Sequence, residues 1–321
     1  MGDTSREKFE RKIKYHMTEL PSGSVSFLCY FNFGYVYSPT SMEAMAIHAA
    51  LAMANITIAL FGTLANCLVI LAYYRNPRLR TTQNMIFLYL AITDLSVTAF
   101  VQPVFTVATL SGLLGNHNCI LWTLDTLLSW LFVELSLVTI TILSLQSYLT
   151  LAYPFRSHSI ITKFRLNVAI LLSWFLVLVK VLTIFLQYFD SLRYGSPCII
   201  GLTVIIVVVT WCWTQRLVSR HRKHIRTTQT PSCAQKVEQK KLLKSTVTAF
   251  AIIFSLLACY CLHLSLFLFL DFLNPSRLGS DTYGVLVSLS TTLTYLNSLL
   301  NPCLLFWRNT CFRDTVKNFF D

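Results

Sequence analysis

Seven continuous apolar runs occupy the chain, roughly at residues 46–74, 84–110, 119–151, 166–188, 198–218, 245–271 and 282–306. Each is near or above the roughly 20 residues that a membrane-spanning helix needs. The apolar positions are continuous rather than alternating, which argues against a β-barrel. The pattern predicts an all-α membrane protein, a seven-transmembrane helix bundle. A short last stretch, "NTCFRDTVKNFF", puts Phe312, Val316, Phe319 and Phe320 on one helical face, with Arg313 and Lys317 off it. That predicts a short amphipathic C-terminal helix lying on the membrane surface. Three regions follow: an N-terminal segment over 1–45, the helix bundle over 46–308, and the amphipathic helix and C-terminus over 309–321.

Composition agrees. The chain of 321 residues is 55% hydrophobic and only 12% charged, against roughly 25% charged residues in soluble domains. The formal net charge of +12 raises the question of nucleic acid, but the basic residues sit between apolar runs, where they orient a membrane protein. The loops after runs 1, 3 and 5 and the tail carry eighteen Lys and Arg, among them Arg75, Arg78, Arg80, Arg220, Arg222, Lys223, Arg313 and Lys317. The other side carries seven: Arg193, Arg277 and the five of the N-terminus, Arg6, Lys8, Arg11, Lys12 and Lys14. The excess marks the first side as cytoplasmic, facing anionic lipid head groups, and the N-terminus as extracellular. A multi-pass protein of the plasma membrane with no nucleic-acid partner is expected. Residues 1–41 read as a loosely ordered outer segment, or the chain starts at Met42 or Met45. The sequon Asn55–Thr57 falls inside run 1 and is expected to be unused. Cys67, Cys212, Cys259, Cys261 and Cys303 lie within apolar runs and read as packing residues.

Polar residues inside spans are costly and therefore informative. Run 1 contains "GTLANCLVILAYY" with Asn66, run 2 "LYLAITDL" with Asp94, and run 4 "ILLSWFLVL" with Trp174. Run 7 contains "YLNSLLNPCLLFWRN" with Asn297, Ser298, Asn301 and Pro302. In this order, these residues resemble the rhodopsin-like (class A) G-protein-coupled receptors, as a divergent member, over about residues 46–320. The resemblance implies a receptor rather than an enzyme: an extracellular ligand rearranges the helices, and a heterotrimeric G protein answers on the cytoplasmic side. It also implies a sodium and water pocket built from Asp94, Ser136, Asn297, Ser298 and Asn301, with Asn66 beside it. Hard carboxylate, hydroxyl and amide oxygens suit sodium; the alternative is a polar network that only ties helices together. No other cofactor is expected. Pro302 removes one backbone hydrogen bond and can hinge the seventh helix.

The chain departs from the family at its switch. In "ILSLQSYLTLAYPFR", Tyr148, Leu149 and Pro154 match the third-helix motif, which places Gln146 and Ser147 where the family has an acid and an arginine. In run 7, Leu305 stands where the family has a tyrosine. "SLLACYCLH" is the nearest counterpart of the family's Cys-Trp-x-Pro, with Tyr260 in place of the aromatic switch. The resemblance also implies a disulfide between Cys119 and Cys198, although Cys119 lies about one turn farther out than the family pattern; two free thiols are the alternative.

Asp125, Ser129 and Ser136 are spaced by four and seven residues, so they share a helix face. With Ser136 in the interior, Asp125 should face the interior near the outer mouth. Glu134 must then point elsewhere, and it is expected to pair with Lys180, the only lysine deep in a span. Candidate ligand contacts are Asp125, Ser129, Phe132, Val133, Tyr260 and His263. Amine receptors of the family carry an aspartate where this chain has Ser129, which argues against a biogenic amine. No lysine in run 7 can form a retinal Schiff base. A small molecule, a lipid or a short peptide remains. Two rival readings stand beside this one: an atypical receptor of the same fold that binds or scavenges ligand but couples weakly, and a small membrane transporter using the intramembrane charges as a path.

Overall fold

The computed structural model describes residues 39–116, 119–185, 195–227 and 280–319, together with residues 253–255, 258–263, 265–266 and 269 of the sixth run. The N-terminal segment up to residue 38, most of the sixth run and Phe320 lie outside the described residues.

Every element among the described residues is helical. Helix α1 spans Met42–Arg75. Helix α2 runs from Thr82 to Leu113, with a wide-turn π segment at Val97–Val101. Helix α3 is Cys119–Ala152, α4 Lys163–Phe185 and α5 Gly195–Thr227. Helix α6 is described in part within Ile253–His263. Helix α7 is Ser280–Arg308 and α8 Thr310–Lys317. Helices α1 to α4 are each long and apolar enough to cross a membrane. Helix α1 packs on α2 and α7, and α3 packs on α2, α4 and α5.

Capping explains several boundaries. Helix α1 starts before residue 46 because Ser41 caps it, its Oγ accepting from Ala44 N. The Asp281 carboxylate, from the start of α7, accepts from Thr40 N at 3.0 Å and Ser41 N at 2.8 Å. A carboxylate at the positive end of a helix dipole is favourable. Asn309 caps α8 by accepting from Cys311 N. On α8, Phe312 is buried in the main core, Val316 and Phe319 pack against it, and Arg313 and Lys317 are exposed. The Asn76 amide donates to Thr315 Oγ1 at 2.7 Å, tying the first basic loop to α8.

The π segment has an identifiable cause. Pro103 sits in the turn that follows it and offers no N–H to the carbonyl four residues back; a widened turn absorbs the mismatch. Helix α1 meets this bulge at Gly62, where an added Cβ would lie 2.6 Å from Thr98 Cγ2. Glycine is needed there for close approach.

The outward surfaces of α1 and α4 are apolar, including Leu60, Phe61, Leu171 and Phe175. Lipid is as apolar as a protein core, so these faces are stable in the bilayer. The same argument corrects the reading of the cysteines. Cys259 packs in the core, but Cys67, Cys261 and Cys303 face outward. Asn55 is fully buried and bonded to Thr292, so the sequon is inaccessible.

Glu134 on α3 and Lys180 on α4 form an intramembrane ion pair, with side chains 2% and 11% exposed. Trp174 Nε1 donates to Thr139 Oγ1 at 3.1 Å and its ring meets Tyr89 edge-on. These contacts fix α4 against α2 and α3.

Two outcomes are expected. Gly62→Ala lowers the thermal midpoint of the purified protein, and adding Thr98→Ser, which removes the clashing methyl, restores most of the loss. Glu134→Gln removes the counter-charge of a largely buried ammonium, which costs up to about 3–5 kcal/mol, whereas the double change Glu134→Met, Lys180→Met recovers near-native stability. Thermal denaturation in detergent checks both.

Candidate functional site

Two polar clusters lie inside the bundle, and α7 contributes to both.

The first centres on Asp94, fully buried on α2. Ser136 Oγ on α3 donates to Oδ1 at 3.0 Å, and the Asn301 amide on α7 donates to Oδ2 at 2.8 Å. Asn66 on α1 donates to the Ser298 carbonyl at 3.0 Å and to Gly62 O at 2.9 Å. A small cavity adjoins Asp94, lined also by Asn66, Asn301, Pro302 and Leu305. The side-chain oxygens of Asn66, Asn297 and Asn301 are buried without a hydrogen-bond donor among the described residues. Buried acceptors left open in this way call for water or a cation. Ser136, Asn297 and Ser298 are buried in the helix interfaces but do not line the cavity itself.

The second cluster lies toward the end of the bundle that carries Ser41 and Asp281. Tyr295 on α7 donates its hydroxyl to Asp125 Oδ1 at 3.2 Å, and the Ser129 and Tyr295 hydroxyls are 2.6 Å apart. Asp125 is 7% exposed. Phe105 meets the rings of Tyr295 and Trp122 edge-on, at centroid distances of 5.6 and 6.3 Å. Phe132 and Val133 pack against the same cluster. Trp122 Nε1 is buried without an acceptor among the described residues.

The remaining candidates are spread more widely. Tyr260 is buried in the main core, with Val207 and Ile140, rather than beside Asp125. His263 Nδ1 lies 2.5 Å from Ser290 Oγ, joining α6 to α7. The side chains of Cys119 and Cys198 lie outside those described.

Toward the basic end, Ser147 Oγ is buried without a hydrogen-bond partner among the described residues, as is Gln146 Oε1. Gln146 Nε2 reaches Thr150 Oγ1 at 3.3 Å. Tyr148 leans on Trp213, ring centroids 5.7 Å apart, and Ser144 and Thr210 share a hydrogen bond, so α3 and α5 are joined here. Leu305 is buried in the main core.

Tyr295 is the residue that sequence reasoning missed. It stands three residues before Ser298, so helical spacing places the two on neighbouring positions of one face. The same argument had found Asp125. Gln102 was missed as well: it is fully buried just past the π segment and donates to Asn55 Oδ1 at 3.1 Å. A local change of helical pitch hides such a position from periodicity.

Comparison with known proteins agrees with this architecture. The family described as the seven-transmembrane receptor (rhodopsin family) matches residues 65–305. Trace amine-associated receptor 365 of Petromyzon marinus is 30% identical over 157 residues, spanning 46% of this chain and 40% of that receptor. Melatonin receptor type 1C of Xenopus laevis is 26% identical, spanning 85% of this chain and 68% of that receptor. Histamine H2 receptor of Rattus norvegicus is 23% identical, spanning 87% and 81%. Members of this family are receptors, not enzymes. With its helical bundle, its buried Asp94 cluster and a match across most of its length, this chain belongs to the rhodopsin family of seven-transmembrane receptors.

Proposed function

We propose that this receptor sits in the plasma membrane with its N-terminus outside, takes an extracellular small-molecule, lipid or short-peptide ligand near Asp125, Ser129 and Tyr295, and signals to a heterotrimeric G protein at its basic face. The observation that carries this reading is the position of α7. It contributes Tyr295 to the outer cluster and Asn301 to the Asp94 cluster, about 9 Å apart along one helix. A ligand that displaces Tyr295 shifts a population of bundle conformations through that helix.

The Asp94 cluster is the proposed sodium site, and the residues fit the ion. Asp94 would supply the charge and Asn301 an amide oxygen at the cavity wall; Ser136, Ser298 and Asn297, buried behind the wall, would turn toward it to add two hydroxyls and a second amide oxygen, the amide oxygens of Asn297 and Asn301 having no donor among the described residues. A bound cation would neutralise a carboxylate that is expensive to hold ionised in a buried place and would brace α2, α3 and α7 together.

One observation favours a second reading, a receptor that couples weakly. Ser147 is buried with no partner for its hydroxyl among the described residues, and Leu305 occupies the core beside Asp94. Neither can make the ionic or phenolic contacts of the residues they replace.

Two measurements test these statements. Sodium is expected to raise the thermal midpoint of the purified receptor over potassium at equal ionic strength, and Asp94→Asn is expected to abolish that difference; an unchanged difference in the variant rejects the site. Nucleotide exchange on a panel of G proteins, in membranes carrying the natural receptor or Ser147→Arg, decides the output. Exchange driven by the natural form supports full coupling. Exchange only with the arginine form supports the weakly coupling receptor.

A further inference from the structure

The connection from α3 to α4 presents a serine among basic groups. A short helix, Pro154–Ile160, follows α3, and α4 begins at Lys163. Ser159 is exposed in the last turn of the short helix, and Arg156, Lys163 and Arg165 are exposed as well. Arg165 folds back over the loop: its Nη1 donates to the Ser159 carbonyl at 3.0 Å and to the Ile160 carbonyl at 3.4 Å. Its guanidinium therefore already lies beside the serine. Thr162 Oγ1 accepts from Arg165 N at 3.3 Å, opening α4 here, so the positive end of that helix dipole meets the same loop. The chain carries no acidic residue between Glu134 and Asp190, so nothing in this stretch neutralises the three cations. The Ser159 hydroxyl donates only locally, to the Arg156 carbonyl at 2.8 Å. Ser157 is buried and Thr162 is half-buried, which leaves Ser159 as the hydroxyl that the loop offers to solution.

We propose that Ser159 is a phosphorylation site for a basophilic serine/threonine kinase, and that Arg165 and the start of α4 hold the phosphate. Arg156 stands three residues before the serine, where the acidic substrate groove of such a kinase pairs with it. ATP is the donor. The Ser159 oxygen bonds to the γ-phosphorus, the bond to the ADP oxygen breaks, and the hydroxyl proton leaves to solvent. The phosphate brings about −1.5 to −2 charges at neutral pH and three strong acceptors, which suit the guanidinium fork of Arg165. It cancels most of the local positive charge and gives the loop a second, ordered state on the basic face. The inference goes beyond the signalling reading and rests on it only in placing that face in the cytoplasm, where ATP is found.

The test uses the full-length receptor in lipid nanodiscs, with magnesium ATP and either cAMP-dependent protein kinase or protein kinase C. Peptide mass spectrometry locates the phosphate. It is expected on Ser159, and Arg156→Ala, at an exposed position, is expected to slow its addition by about 10-fold or more. No phosphate on Ser159 with either kinase overturns the proposal, as does phosphate on Ser157 or Thr162 in its place. Hydrogen exchange then reads the capture. Amides over residues 153–166 are expected to exchange about 3-fold or more slowly once Ser159 is phosphorylated, and Arg165→Ala, phosphorylated to the same extent, is expected to lose that protection. Equal exchange with and without phosphate overturns the capture, and protection that survives in Arg165→Ala overturns the role of Arg165. Both faces of a nanodisc are open to the kinase, so the result does not depend on orientation. Orientation and coupling are read separately, by protease access in sealed cells and by nucleotide exchange.

Discussion

The Asp94 carboxylate, buried where α2, α3 and α7 meet, is the constraint on which the bundle depends. Lipid supplies no hydrophobic drive between helices, so polar ties and close packing decide how they meet. Asp94 accepts from Ser136 and Asn301 and thereby sets the register of three helices at once. Further ties extend the arrangement: Asn66 to the Ser298 carbonyl, Asn55 to Thr292, and Ser144 to Thr210. The Glu134–Lys180 pair serves α4, which has a mostly lipid-facing surface and few other polar contacts. Each tie is buried in a setting where an unpaired group is expensive, so each specifies one arrangement against its neighbours in register.

The π segment of α2 shapes what lies beyond Asp94. Widening the turn at Val97–Val101 rotates the rest of the helix relative to an uninterrupted one. The rotated part buries Gln102 and places Phe105 against Tyr295 and Trp122. Gly62 lets α1 close onto the bulge. The aromatic wall of the outer cluster thus depends on a proline, a glycine and a local change of pitch, none of which touches the carboxylate it surrounds.

Much of this was legible in the chain. Continuous apolar runs announced the spanning helices, and a period of 3.6 announced the buried face of α8. Helical spacing from Ser136, placed in the interior by the family resemblance, turned Asp125 inward and Glu134 away, and the cost of an unpaired intramembrane charge pointed Glu134 to Lys180. What stayed hidden has physical reasons. The start of α1 rests on a carboxylate 240 residues away, Asp281, which no local signal reveals. Gln102 is displaced by the π turn. Tyr295 was within reach of the spacing argument but was passed over beside the more conspicuous Asn and Pro that follow it. The outward cysteines show that periodicity separates core from lipid poorly when both are apolar.

The basic end keeps the scaffold and changes the moving parts. Ser147 and Leu305 remove a charge and a phenol from the places where the family has them, yet Asp94 and Asn301 still join α2 to α7 by a hydrogen bond, with Pro302 in the wall of the same cavity. The claim that Asp94 is that joint is tested most directly by hydrogen–deuterium exchange on the full receptor and its Asp94→Ala variant, since exchange reports local opening. The account expects protection to fall in peptides from α7 around residues 290–305 and from α3 around 130–140, with α4 unaffected. Unchanged protection in α7, or a uniform loss across all helices, would contradict it.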